Sequence, residues 1–322
     1  MARLTYAAAA CAALDRAMAA DARVVALGED VGRGGIFGQY LGLQQKFGAA
    51  RVIDTPISES TIMGAAVGMA LTGLRPVVEM RVVDFALCAM DEIVNQAAKA
   101  RYMFGGQGRV PLVARLPIGI WTGSAAQHSQ SLEAWFAHIP GLVVVTPGSA
   151  QDNYALLSAA IACGDPVIYM EHKELWGLEG EVGTGGSAAE DEIPLGKANL
   201  LRSGSDITLV TWSRTVHAAA EAAQNASKKG ISVELIDLRT IWPWDREAVL
   251  ASAAKTRRVL VAHEAVRAAG FGAEIAAEVA ETLGVRVKRI GGPRIPVGYA
   301  KPLEDEARLT AGRILEALTG FQ

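Results

Sequence analysis

Cysteine is scarce in this 322-residue sequence: Cys11, Cys88 and Cys163 are too few and too scattered for a disulfide framework or a CxxC metal site. They read as small buried thiols of a reducing cytoplasm. Charge of one sign is also lacking, because 31 basic side chains stand against 34 acidic ones for a net charge of -3. That balance gives no electrostatic reason to expect nucleic acid or an anionic membrane as a partner. No apolar run approaches the length of a membrane span. The Ala-rich stretch from Tyr6 to Ala20 carries Asp15 and Arg16 and has no basic front, so it predicts a helix rather than a signal peptide.

What the sequence does have is apolar mass: 51% of residues are apolar and 20% charged, which excludes a disordered chain. At about 150 residues per domain, the length suggests two domains, each able to bury a core. Apolar runs at Arg23–Leu27, Arg51–Asp54, Pro76–Met80, Pro111–Arg115, Leu142–Thr146 and Pro166–Met170 predict strands. Helical periodicity fills the gaps, as at Ser60–Leu71, Phe85–Tyr102 and Ala150–Cys163. This alternation predicts an α/β fold with a largely parallel sheet covered on both faces. The polar, aperiodic texture around Gly183-Thr-Gly-Gly-Ser-Ala-Ala-Glu-Asp-Glu marks a linker. A second α/β series follows, with strands near Ile207–Trp212, Ser232–Asp237, Val259–His263 and Val285–Ile290. Its helices are expected near Thr215–Lys229, Asp245–Ala254, Gly272–Leu283 and Ala307–Leu318. The expected division is a first domain over residues 1–175, a linker over 176–198 and a smaller domain over 199–322.

Familiar nucleotide signatures fail. There is no GxxxxGK[ST], and Gly183-Thr-Gly185-Gly-Ser-Ala188 fits GxGxxA only inside the linker, without the strand and helix that would hold a pyrophosphate. Gly270-Phe-Gly272 follows a strand and precedes a helix, but Ile275 replaces the third small residue, and close helix–strand packing explains these glycines as well. His263-Glu264 lacks the second histidine of a zincin helix, and no other metal-ligand spacing occurs.

Two segments remain: Asp54-Thr-Pro-Ile-Ser-Glu59-Ser and Ala125-Ala-Gln-His128-Ser-Gln-Ser-Leu-Glu-Ala-Trp-Phe. Glu59 can be a first-turn glutamate behind a capping Ser58, gaining about 0.3–1 kcal/mol from the helix dipole. Against that stands its position at the carboxyl end of an expected parallel strand, where open α/β sheets receive ligands. His128 can likewise be a merely hydrogen-bonded loop residue.

In order along the chain, Gly28-Glu-Asp-Val-Gly32, Asp54-Thr-Pro-Ile-Ser-Glu59, Gly73-Leu-Arg-Pro76, Val83-Asp-Phe85, Asp91-Glu-Ile-Val-Asn95, Gln127-His128-Ser129-Gln130 and Tyr299-Ala-Lys-Pro-Leu-Glu-Asp305 resemble the β subunits of two-chain, thiamine diphosphate-dependent 2-oxo acid dehydrogenases. The resemblance spans essentially the whole chain. Glu171-His-Lys173, His263-Glu-Ala-Val and the segment around His128 are most similar to the acetoin dehydrogenase branch, although pyruvate dehydrogenase β subunits share many of the same words. The resemblance implies a pyrimidine-binding domain, a smaller transketolase C-terminal-like domain and an α2β2 heterotetramer in the cytoplasm. In that family the α subunit holds the diphosphate and Mg2+ with a GDG…N motif, and no GDG occurs in this sequence. The implied activity is cleavage of acetoin, or decarboxylation of pyruvate or another 2-oxo acid, with the acyl group passed to a lipoyl-bearing acyltransferase component.

Glu59 then becomes the carboxyl that hydrogen-bonds the pyrimidine ring. It promotes the imino tautomer that takes the weakly acidic thiazolium proton, which is acid–base catalysis relayed through the cofactor. Contact with the ring is the usual way to tune such a group toward the working pH. Ile57, Arg81 and Phe85 are expected to contact the cofactor, although Phe85 can equally be helix core. His128 is expected to face the reacting carbons, as a donor to a developing alkoxide or a proton source when the dithiolane opens. The family implies that Glu29 and Asp91 share a proton between two active sites, while turn and helix-start roles explain both equally well.

Three positions depart from the family. Arg81 stands where relatives carry an uncharged residue, so it pairs with an acidic neighbour or meets an anionic substrate, the former being favoured. Trp121 enters a loop that relatives build from glycine. Cys163 replaces an Asp beside a structural potassium ion, leaving only a carbonyl-lined K+ site around Ala160–Asp165. Two other functions fit the same residues: a two-chain transketolase-like carbon–carbon transferase, and an inactive scaffold subunit.

Overall fold

The computed structural model describes residues 1–183 and 193–321. The chain divides into two compact units, Met1–Ile118 with Trp135–Leu195, and Gly119–Ala134 with Gly196–Gln322.

In the first unit, six strands run parallel in the spatial order Val143–Val145, Val167–Tyr169, Val113–Arg115, Arg75–Glu79, Val24–Gly28, Val52–Asp54. Val24–Gly28 and Val113–Arg115 are buried along their whole length, which is why they read as continuous apolar runs rather than alternations. Helices Tyr6–Ala20 and Ala150–Ala162 pack on each other. Each starts at a cap, where the hydroxyl of Thr5 accepts from Ala8 N at 3.1 Å and that of Ser149 from Asp152 N at 3.1 Å. The core beneath them gathers Leu14, Met18, Val77, Tyr154 and Leu157.

Several elements differ from expectation. The Phe85–Tyr102 stretch is not one helix but a 3-10 helix (Val83–Ala89), a π-helical turn (Glu92–Ala97) and an α-helix (Ala98–Met103). Both Asn95 (2.7 Å) and Gln96 (3.2 Å) donate to the Asp91 carboxylate across the start of the wide turn. Part of the expected linker is ordered, because Glu179–Val182 pairs antiparallel with Ala2–Thr5. Residues 184–192, most of the GxGxxA match, lie outside the described residues. Finally, residues 119–134 cluster with the second unit rather than with the first.

The second unit carries a five-stranded sheet in the order Arg286–Gly292, Arg258–Val266, Ile207–Thr211, Val233–Asp237, Asn199–Arg202, with only the last antiparallel to its neighbour. Helices Thr215–Ser227 and Ala311–Thr319 pack on each other over a core of Leu209, Ala222, Leu235, Leu260 and Ile314. The expected Ala307–Leu318 helix is broken into Lys301–Ala307 and Ala311–Thr319, because the Thr310 hydroxyl accepts from Arg313 N and starts a new helix. Gly270 and Gly272 serve packing. A Cβ on either would come within 2.7 and 2.8 Å of the His263 ring.

Candidate active site

The carboxyl ends of three adjacent strands lead into the candidate site residues of the first unit. Val24–Gly28 leads into Glu29 and Asp30, Val52–Asp54 into the loop before Glu59, and Arg75–Glu79 into Arg81. Gly28 is required there, because at φ +149 a Cβ would come within 2.5 Å of the Glu79 carbonyl oxygen. The loop between strand and helix is fixed by Gly32 N donating to Asp54 at 2.8 Å and Thr55 N donating to Gly28 O at 3.1 Å.

Glu59 opens helix Glu59–Leu71 and is partly exposed. Ser58 is the cap residue, but its hydroxyl makes no capping bond and donates to Thr61 Oγ1 at 2.8 Å instead. Ile57, just before it, is 78% exposed, an apolar side chain left bare beside a carboxyl. Glu29 sits close enough to feel Glu59. Burial raises its pKa, the charges of Glu59 and Asp30 raise it further, and the Arg81 guanidinium opposes them. Arg81 pairs with Asp30, which also holds Arg33 at 2.9 Å. Its own N–H donates to Glu79 at 3.2 Å, from a left-handed backbone at φ +57. The acidic neighbour expected for Arg81 is therefore Asp30. Phe85 is partly buried on the Val83–Ala89 helix, which packs against Glu59–Leu71. Asp91 is exposed, and its hydrogen bonds from Asn95 and Gln96 lower its pKa; it is not among the charges acting on Glu29.

Beneath this surface lies a buried polar network that the sequence reading did not single out. Arg115 and Glu171, both fully buried, form a two-pronged pair at 2.8 Å on each side. Asn153 donates to Glu171 at 2.9 Å and accepts from Tyr169 at 2.9 Å. The Arg115 guanidinium lies 4.9 Å from the centre of the Tyr40 ring, and the Tyr40 hydroxyl donates to Glu79 at 2.9 Å. Burial pushes the Glu79 pKa up, and the charge of Arg115 pulls it back. The available signal was a charged residue at the end of an apolar strand, Glu79 in RPVVE and Arg115 in VAR.

His128 belongs to the second unit, exposed on the Gly119–Ala134 segment that also carries Trp121. Two turns shape the segment, with Ser124 N bonded to Trp121 O at 2.9 Å and His128 N to Ala125 O at 3.5 Å. Glu59, Ile57, Arg81 and Phe85 are thus gathered in one unit and His128 in the other. At the carbonyls around Cys163, Arg75 donates to Ile161 O at 2.7 Å and to Cys163 O at 3.1 Å.

A parallel sheet with a carboxylate at its carboxyl end, followed by a second α/β unit, is the arrangement of the transketolase class. Residues 2–177 match the transketolase pyrimidine-binding domain and residues 196–314 the transketolase C-terminal domain. A split-gene transketolase, an inactive β4 tetramer, aligns over 98% of both chains with a TM-score of 0.80 at 22% identity, a likeness of fold. Sequence relatives are nearer. The β subunit of acetoin:2,6-dichlorophenolindophenol oxidoreductase of Cupriavidus necator is 42% identical over 95% of this chain and 93% of its own. The 2-oxoisovalerate dehydrogenase β subunit of Bacillus subtilis is 42% identical over 91% and 90%. A mitochondrial pyruvate dehydrogenase E1 β subunit of Oryza sativa is 44% identical over 91% and 79%. The chain belongs to this family of β subunits of acetoin and 2-oxo acid dehydrogenase E1 components.

Proposed function

We propose that this chain is the β subunit of a thiamine diphosphate-dependent dehydrogenase component. With an α subunit it cleaves acetoin, or decarboxylates pyruvate or a related 2-oxo acid, and hands the acyl group to a lipoyl domain. The observation that carries the reading is the partly exposed Glu59 carboxyl beside bare Ile57 and close to Glu29. That set fits an aminopyrimidine, which offers a ring nitrogen to a carboxyl and an apolar face to an aliphatic side chain. Bound there, the cofactor supplies a carbon nucleophile for cleaving the bond next to a carbonyl. Glu59 holds the proton shared with the pyrimidine nitrogen, and Glu29 adds negative charge that keeps that proton in place. Ile57 and Phe85 keep water from the ring. Arg81, engaged by Asp30, contributes its backbone and stem rather than a free charge.

His128 serves the later half-reaction, as proton donor to the lipoyl sulfur when the disulfide opens. The carbon–carbon bond breaks with release of CO2 from a 2-oxo acid or acetaldehyde from acetoin; the electron pair left on the acyl carbon reduces the lipoyl disulfide, one sulfur taking the acyl group and the other the proton. We assign magnesium and the diphosphate to the α partner, because this sequence has no GDG. A potassium ion near Cys163 would compete with the Arg75 guanidinium for the same carbonyls. The test is hydrogen–deuterium exchange at the reactive cofactor carbon in the assembled complex. Glu59→Ala should abolish exchange and turnover together, whereas His128→Ala should spare exchange. Exchange surviving in Glu59→Ala would refute the assignment.

A further inference from the structure

The Gly119–Ala134 segment is held by the acidic side chains of its own unit. Glu264, on strand Arg258–Val266, accepts from Ile120 N at 2.8 Å. Glu304, on helix Lys301–Ala307, accepts from Gly123 N at 2.7 Å. Gly119 N closes the base of the loop on Gln130 O at 2.9 Å, and at the far end Glu133 accepts from Trp212 Nε1 at 3.0 Å. Trp212 is itself fixed by stacking on His263, with centroids 5.0 Å apart and planes 18° from parallel.

Ile120, Ser129 and Leu132 are buried, whereas Ala126, Gln127 and His128 between them are exposed. An open pocket of about 510 Å³ adjoins the segment, lined by Ile120, Ser129, Leu132, Glu264, Ile295 and Val297. Exposed loop residues keep one shape where directional bonds impose it, and bonds to carboxylates are the stronger kind. Glu304 suits that task. It is 2% exposed, and its other oxygen accepts from Arg308 at 2.7 Å, so the carboxylate is held in one orientation.

We propose that Glu304, backed by Arg308, and Glu264 are positioning residues for His128: by gripping Gly123 and Ile120 they set where the loop presents its imidazole for acyl transfer. The inference rests on the reading of His128 given above. A shift of about 1 Å in a catalytic group costs on the order of a hundredfold in rate, so losing a grip should be visible in that step alone.

The experiment compares Glu304→Ala, Glu304→Gln, Glu264→Gln and His128→Ala in the holoenzyme with its α partner. Each is assayed for transfer to a free lipoyl domain and for turnover with an artificial dye as electron acceptor. Glu304→Ala should lose roughly ten- to a hundredfold in kcat for lipoyl transfer while dye turnover stays within about twofold. Glu304→Gln, whose amide oxygen still accepts from Gly123 N, should recover part of the loss. If Glu304→Ala does not assemble, the two Gln variants carry the test. Equal loss of both activities in the Gln variants would mean a merely structural role and overturn the proposal. So would normal lipoyl transfer in all Glu304 and Glu264 variants beside a defective His128→Ala, an outcome that leaves the His128 reading standing. Normal transfer in His128→Ala would sink that reading, and the positioning role with it.

Discussion

Arg115 and Glu171 are completely buried, and burying two charges is costly unless each is fully satisfied. Here Nε and one terminal nitrogen of the guanidinium meet the carboxylate as a fork, Asn153 supplies Glu171 a further donor and Tyr40 lies under the cation, while the other terminal nitrogen, Nη1, is buried with no hydrogen-bond partner. Arg115→Met should therefore destabilise the chain by about 3–5 kcal/mol in urea unfolding, since it strands Glu171. Adding Glu171→Gln should restore much of that loss. A double variant no more stable than Arg115→Met would rule out the stranded charge as the cause. At this scale the sequence singled out Glu59 and His128 as candidates through their flanking words. It did not disclose this pair, because Arg115 and Glu171 lie 56 positions apart and only the parallel pairing of Val113–Arg115 with Val167–Tyr169, two residues before Glu171, brings them together. Arg81 was legible as a departure, but its partner Asp30 was not, for the same reason.

Among the elements, the Arg258–Val266 strand does most to organise its unit. It lies inside the sheet and carries His263, buried against Trp212 and cradled by Gly270, Gly272 and Gly291. Burial lowers the His263 pKa from 6.5 to about 4, so the folded chain holds a neutral imidazole. The unfolded chain takes up its proton below about pH 6.5 and the folded one only near pH 4, so stability is full above that window and falls with pH through it. The total at stake is on the order of 3 kcal/mol. His263→Gln should flatten the pH dependence of chemical unfolding between pH 7 and 4, and an unchanged slope would contradict the burial argument. The main helices and strands were legible from periodicity, whereas the breaks in Phe85–Tyr102 and Ala307–Leu318 were not. Those breaks depend on Asp91 recruiting two side chains and on Thr310 capping, local bonds that an apolar pattern does not encode.

For the whole molecule, the proposed half-site predicts dependence on a second chain. Purification from the native host, followed by native mass spectrometry with thiamine diphosphate and magnesium, should give an α2β2 complex whose other chain carries GDG…N. Recovery of this chain alone with tightly bound cofactor would overturn the half-site reading. Among the described residues no helix is long and apolar enough to cross a membrane. The sequence by itself determined the α/β class, the two successive series of strands and helices, and the family, because apolar period and contiguous motifs are properties of neighbouring residues. Only the tertiary structure decided that residues 119–134 cluster with the second unit, that Glu29 feels Glu59, and that Glu264 and Glu304 hold the His128 loop. These contacts join positions about 30 to 180 apart, and nothing local in the chain encodes them, since burial and hydrogen bonding act through space.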